Sequence, residues 1–127
     1  MLVIRECRLS FDECVERLIN AIKNSGAEIF AIIDHSENAK KVGLNLDPTK
    51  VIYFGNPKVG TLLMFENRSI AYELPLRFLV WFENGITRIG YKRPSEIGRE
   101  YNISDNKKEI LEKMDKFIEG LLSVFLQ

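Results

Sequence analysis

Asn84-Gly85 is the dipeptide that most limits what this chain can fold into. Both residues accept the positive backbone angles of a tight two-residue hairpin, and an alternating stretch stands on each side. Arg77–Glu83 places Phe78, Val80 and Phe82 on one face, and Ile86–Lys92 places Ile86, Arg88 and Gly90 on one face. An antiparallel hairpin so marked excludes a sheet built wholly of parallel, doubly wound units. Whatever helices the chain forms must pack against a sheet that contains this pair.

Two segments supply those helices. Ser10-Phe11-Asp12-Glu13 has capping-box spacing, and Phe11, Cys14, Val15, Leu18, Ile19 and Ile22 follow on one helical face until Gly26. Near the other end, Asn106 stands three residues before Glu109 and is read as the cap of a last helix. Its stripe is Ile110, Leu111, Met114, Phe117, Ile118, Leu121, Leu122 and Phe125. Residues 2–8 read as a short strand. Glu28–Ile33, rich in β-branched and aromatic residues, reads as a strand buried on both faces. Glu37–Val42 is a short helical turn, and Val51–Phe54 a further strand. Asn56–Glu73 fits a helix, with Asn56 as cap and Pro57 as first residue, although Thr61–Phe65 would also pass as a strand. Leu74-Pro75 ends it, and Pro94–Tyr101 forms a short helix. The expected fold is α+β: a single-layer, mainly antiparallel sheet with two long amphipathic helices on one face, in one domain spanning residues 1–127.

Composition narrows the function classes. Eighteen basic residues balance eighteen acidic ones, which argues against a nucleic-acid partner. Only Leu2–Ile4 precede a charge at the N-terminus, so neither a signal peptide nor a membrane span is expected there, and a cytoplasmic location is. Cys7 and Cys14, with six residues between them and no histidine nearby, have no zinc-knuckle or redox spacing and read as small buried hydrophobes. Glutamine occurs only at Gln127 while Ile, Lys and Glu abound. That bias suggests a thermophile, where an intracellular disulfide is less improbable than usual.

Two polar turns are candidates for chemistry. Gly55-x-x-x-x-Gly60-Thr61 follows a strand and precedes a helix, as a phosphate loop does, but Thr61 stands where such a loop needs lysine and Lys58 lies inside the turn. The stretch is better read as a strand-to-helix corner whose glycines relax the backbone. Asp34-His35-Ser36 ends a strand. His35 there would serve as a general base with Asp34 or Glu66 as partner, or else Asp34 simply caps the next helix. One histidine cannot build a histidine-rich metal site, and no cofactor or metal is expected. Tyr53, Tyr72, Trp81 and Tyr91 would line a pocket or, as strand aromatics usually do, the core.

Ile33-Asp34-His35-Ser36 with Asn38-Ala39, then Asp47-Pro48-Thr49, then Phe54-Gly55-Asn56-Pro57-Lys58-x-Gly60-Thr61-x-x-Met64 form an ordered series. Leu74-Pro75-Leu76-Arg77, Val80-Trp81 and Tyr91-x-x-Pro94 continue it. The series resembles the domain of unknown function 302 family over nearly the whole chain. Glu73 stands where that pattern usually has Asp, and Phe82 where an acidic residue is common. The resemblance implies a curved sheet with helices, in the layout of TATA-box-binding-protein-like folds, and often a homodimer. It implies no reaction. The residues matching it most distinctively are Asp34, His35, Asn38, Gly55, Asn56, Pro57, Gly60 and Tyr91.

The expectation carried forward is a dimeric ligand-binding or interaction module. Its cleft would be polar, formed by Asp34–Asn38 and Gly55–Gly60, with Asn38, Gly55, Asn56, Lys58, Gly60 and Tyr91 holding a small polar or anionic ligand. The alternative is a small hydrolase or isomerase using His35 as base. Nucleic acid and membrane are not expected partners.

Overall fold

At the hairpin, Asn84 (φ 53°) and Gly85 (φ 79°) both take positive φ, the requirement of the two-residue turn. The computed structural model describes residues 1–126. Five strands form one sheet: β1 (Val3–Cys7), β2 (Glu28–Asp34), β3 (Thr49–Gly55), β4 (Leu76–Glu83) and β5 (Ile86–Tyr91). Their order is β1-β5-β4-β3-β2, and every neighbouring pair is antiparallel. The helices are α1 (Phe11–Asn24), α2 (His35–Lys41), α3 (Pro57–Glu66), α4 (Pro94–Glu100) and α5 (Lys108–Ser123).

The alternating pattern sends Ile52, Phe54, Leu76, Phe78, Val80, Ile89 and Tyr91 to the helix-covered face, where all are buried. α1 meets them with Cys14, Val15, Leu18, Ala21 and Ile22, and α5 with Leu111, Ile118, Leu121 and Leu122. Phe54 and Phe78 stack at 4.7 Å between centroids, and Tyr91 meets Phe78 edge-on at 5.9 Å. The expected two-helix cover on one sheet face is therefore the observed fold. α1 begins as its sequence dictates, with the Glu13 N–H donating to Ser10 Oγ (3.2 Å).

Four local expectations are corrected. β2 is an edge strand and is not buried on both faces: Phe30, Ile32 and Ile33 remain 45, 44 and 36% exposed. Its residues are as apolar as those of a buried strand, and only the strand order distinguishes the two. The helix that starts at Pro57 ends at Glu66 instead of running to Glu73, because Asn67 turns extended (φ −153°). Asn67 then caps a separate 3₁₀ segment, Arg68–Glu73, by accepting from the Ser69 N–H (3.1 Å). Asn106 lies inside a 3₁₀ turn, Asp105–Lys107, ahead of α5 and is not its cap. Cys7 and Cys14 are buried, as expected, but joined in a disulfide that ties β1 to α1.

Candidate functional site

The corner after β3 is built as the sequence suggested. Asn56 Oδ1 accepts from the Lys58 N–H (2.9 Å) and the Val59 N–H (3.4 Å), and Pro57 occupies the first helical position, where no N–H is needed. Gly60 is not part of a turn. It lies within α3, where an added Cβ would meet Leu74 at 3.6 Å, an ordinary van der Waals contact. α3 therefore lies against Leu74, whose peptide bond to Pro75 is cis.

Beside this corner is a cavity of about 580 Å³. α3 packs on the 3₁₀ segment that follows it, and α5 packs on α1 and α4, so the two helices leave a gap between them. Phe54 and Leu76 form the floor, with Val59, Leu62 and Met64 on the α3 side and Ile110, Met114 and Phe117 on the α5 side. Ser25–Ala27 and the half-exposed ring of Phe30 close the end nearest β2. The volume lies within the range of small-molecule sites, and so does the mostly apolar lining. Gly55, Asn56 and Gly60 line this cavity; Lys58, in the same corner, is exposed and lies outside it.

Asp34, His35 and Asn38 are elsewhere. Asp34 pairs with Lys50 and Gly55 with Glu28, so the two turns sit at opposite ends of the β2–β3 pair. At roughly 3.4 Å per residue that separation is about 17 Å. The shared polar cleft is not formed: antiparallel pairing sends the end of β2 and the end of β3 in opposite directions. Asp34 caps α2, accepting from the Ser36 hydroxyl (2.7 Å) and the Glu37 N–H (2.9 Å). These bonds, the Ser36 hydroxyl first, then the Glu37 amide, and the nearby Lys50 ammonium (3.9 Å) hold its carboxyl below the ordinary range. His35, the first residue of α2, is exposed, and among the described residues no hydrogen bond joins it to Asp34 or Glu66. Asn38 is exposed on the same short helix.

Tyr91 points into the interior under α5, where its hydroxyl donates to the Glu119 carboxylate. Burial, and then that hydrogen bond, push its phenol up to about 12. Arg5 approaches the other oxygen of Glu119 at 3.3 Å, so the three side chains link β5, α5 and β1. Tyr91 is an anchor of the core, away from the cavity. Tyr72 is 83% exposed, while Tyr53 and Trp81 lie on the sheet face opposite the helices.

That opposite face carries an apolar row across all five strands: Ile4, Gly90, Leu79, Val51 and Ile33 are successive register partners. Leu2, Tyr53 and Trp81 flank it, and a hollow of about 320 Å³ lies among Leu2, Val51, Tyr53, Leu79 and Gly90, with Glu73, Arg77, Tyr91 and Lys92 also in its lining. No cluster of three potential metal ligands occurs among the described residues.

The cavity residues of α5 were missed because they belong to the same stripe that fills the core. The signal was its width. Ile110, Met114 and Phe117 follow 4,3 spacing along one border of the stripe, beside the fully buried Leu111, Ile118 and Leu122.

Comparison with known proteins agrees with this architecture. A crystal structure of an uncharacterized conserved DUF302 protein from Bacillus stearothermophilus superposes with a TM-score of 0.86 at 25% identity, covering 98% of this chain and 97% of that one. Over 88 residues, 69% of its length, the chain is 43% identical to the fluoride-specific ion channel FluC 1 of Brucella suis biovar 1 (strain 1330), and equally to FluC 1 of Brucella abortus biovar 1 (strain 9-941). The matched segment spans about a third of those relatives, 34% and 32% of their lengths. No described helix of this chain is long and apolar enough to cross a membrane. The family described as "Domain of unknown function DUF302" matches residues 3–121, nearly the whole chain, and the protein belongs to that family.

Proposed function

We propose that this protein is a cytoplasmic, homodimeric ligand-binding module whose ligand sits in the cavity between α3 and α5. The cavity carries the reading: it is about 580 Å³, is mostly apolar, and is bounded by Gly55, Asn56 and Gly60, three of the six residues expected to hold a ligand. The ligand is therefore chiefly apolar rather than polar. In the Brucella channels a similar segment makes up about a third of the protein, an arrangement that suits an accessory binding module. The dimer would form through the open sheet face, where the row from Ile4 to Ile33 offers an apolar surface that a second copy could cover. A buried disulfide in a cytoplasmic protein fits a thermophilic source.

The test is binding of 1-aminoanthracene, an uncharged aromatic probe at neutral pH. Its fluorescence should rise on addition of the protein, and Met114→Trp, whose larger ring takes up part of the cavity, should reduce the rise. No enhancement with the unmodified protein, or an equal one with Met114→Trp, would remove the reading. Sedimentation equilibrium addresses the dimer: the native chain should sediment as a dimer and Leu79→Asp as a monomer.

A hydrolase or isomerase built on His35 has less support, since the imidazole is exposed and Asp34 is committed to capping α2.

A further inference from the structure

We propose that the cavity takes an amphiphile with one unbranched alkyl chain and a single anionic head, the chain inside and the head at Lys113. This rests on the cavity being a ligand site, and it names the class of ligand.

Two observations select the class. The first is that the side-chain oxygens of the wall are already engaged. Asn56 Oδ1 accepts two α3 amides, the Thr61 hydroxyl donates to the Pro57 carbonyl (2.7 Å), and the Ser25 hydroxyl donates to the Ile22 carbonyl (2.6 Å). A sugar, nucleotide or other hydroxyl-rich body would lose its bonds to water here and regain few of them, so the body of the ligand must be apolar. Met64 on α3 and Met114 on α5 both line the wall, and their unbranched thioethers adapt to a flexible chain better than a wall of branched residues would.

The second observation is the charge. Among the described residues, Lys113 is the one charged side chain in the lining. It stands on α5 one turn before Phe117, with its side chain 75% exposed. Its ion-pair partner, Glu109 at 3.4 Å, is 79% exposed, and such a helical pair is held by only about 0.3–0.5 kcal/mol. The ammonium is therefore free to turn to a ligand. A lone cation at the rim of an apolar cavity favours one negative charge on the ligand, repels a cationic head and adds little to a neutral one.

The probes are laurate, dodecyl phosphate, dodecanol and dodecylamine, each used below its aggregation threshold to displace 1-aminoanthracene. Both anionic probes should bind about fivefold tighter than dodecanol, the effect of one exposed charge pair, and dodecylamine more weakly than dodecanol. The order between laurate and dodecyl phosphate separates a carboxylate head from a phosphate one. Lys113→Glu should weaken laurate roughly tenfold and leave dodecanol unchanged, while molar salt should erase the preference in the native protein. Because Lys113 is exposed, the variants should keep the native melting temperature. Equal binding of laurate and dodecanol, or a Lys113→Glu variant that binds laurate normally, would overturn the head assignment. If 1-aminoanthracene binds and none of the alkyl probes displaces it, the chain assignment falls while the cavity stands as a ligand site. If 1-aminoanthracene itself does not bind, both fall together.

Discussion

Thr87 is the one polar side chain among the buried residues, 2% exposed, and its hydroxyl finds no partner among the described residues. It sits on the helix side of β5, opposite Cys7 and Phe82. Valine has the same shape without the unsatisfied hydroxyl, so Thr87→Val should raise stability by about 1 kcal/mol, measured by denaturant unfolding. Tyr91 makes a different use of burial, since its hydroxyl is satisfied by Glu119. Its phenol is raised from 10.0 to about 12, so the folded state favours the neutral form more than the unfolded state does. The stabilisation is complete below pH 10 and is lost as pH rises through 10 towards 12. Burial and the neighbouring Glu73 carboxylate also raise the Tyr101 phenol, so tyrosinate absorbance should show late-titrating tyrosines, of which Tyr91→Phe should remove the last step. Neither role could be read from one-dimensional spacing. Tyr91 and Glu119 are far apart in the chain, and it is the crossing of α5 over β5 that joins them.

At the scale of elements, capping chemistry was the most legible part of the sequence where a side chain acts within three residues. Ser10, Asp34 and Asn56 all cap the helix that follows them. Asn56→Ala should cost about 1 kcal/mol in thermal or denaturant unfolding, with the loss centred on α3 and the cavity wall it forms. Asn106 resembled these caps in sequence, yet it became part of a 3₁₀ turn, where Ser104 donates to it. Asn67 shows the reverse case. Nothing in the apolar spacing marks a stop there, but its Nδ2 donates to the Tyr101 carbonyl (2.9 Å) on a segment 34 residues away. That bond holds the residue in the extended conformation that ends α3.

For the whole molecule, the Cys7–Cys14 link joins an edge strand of the sheet to the helix that covers it. In the chain-entropy account a loop this short contributes about 2 kcal/mol by restricting the unfolded chain. The reduced protein should therefore melt several degrees lower than the oxidised one, a shift that calorimetry with and without reductant would register. The sulfurs are fully buried, so reduction should proceed through opening of the fold and be slow under native conditions.

Local patterns in the sequence set the class of fold: the hairpin at Asn84-Gly85, the two apolar stripes, and the capped corner at Asn56-Pro57. Each depends on residues close together in the chain, whose backbone preferences and periodicity act locally. The sequence also carried the family, through an ordered set of short motifs. It took the packed fold to make β2 an edge strand, to set Asp34 and His35 about 17 Å from Gly55 at roughly 3.4 Å per residue, and to open a cavity between α3 and α5. Those are matters of strand order and of how far apart two helices lie on a sheet. Both follow from the sum of many weak packing contacts, which no local pattern records.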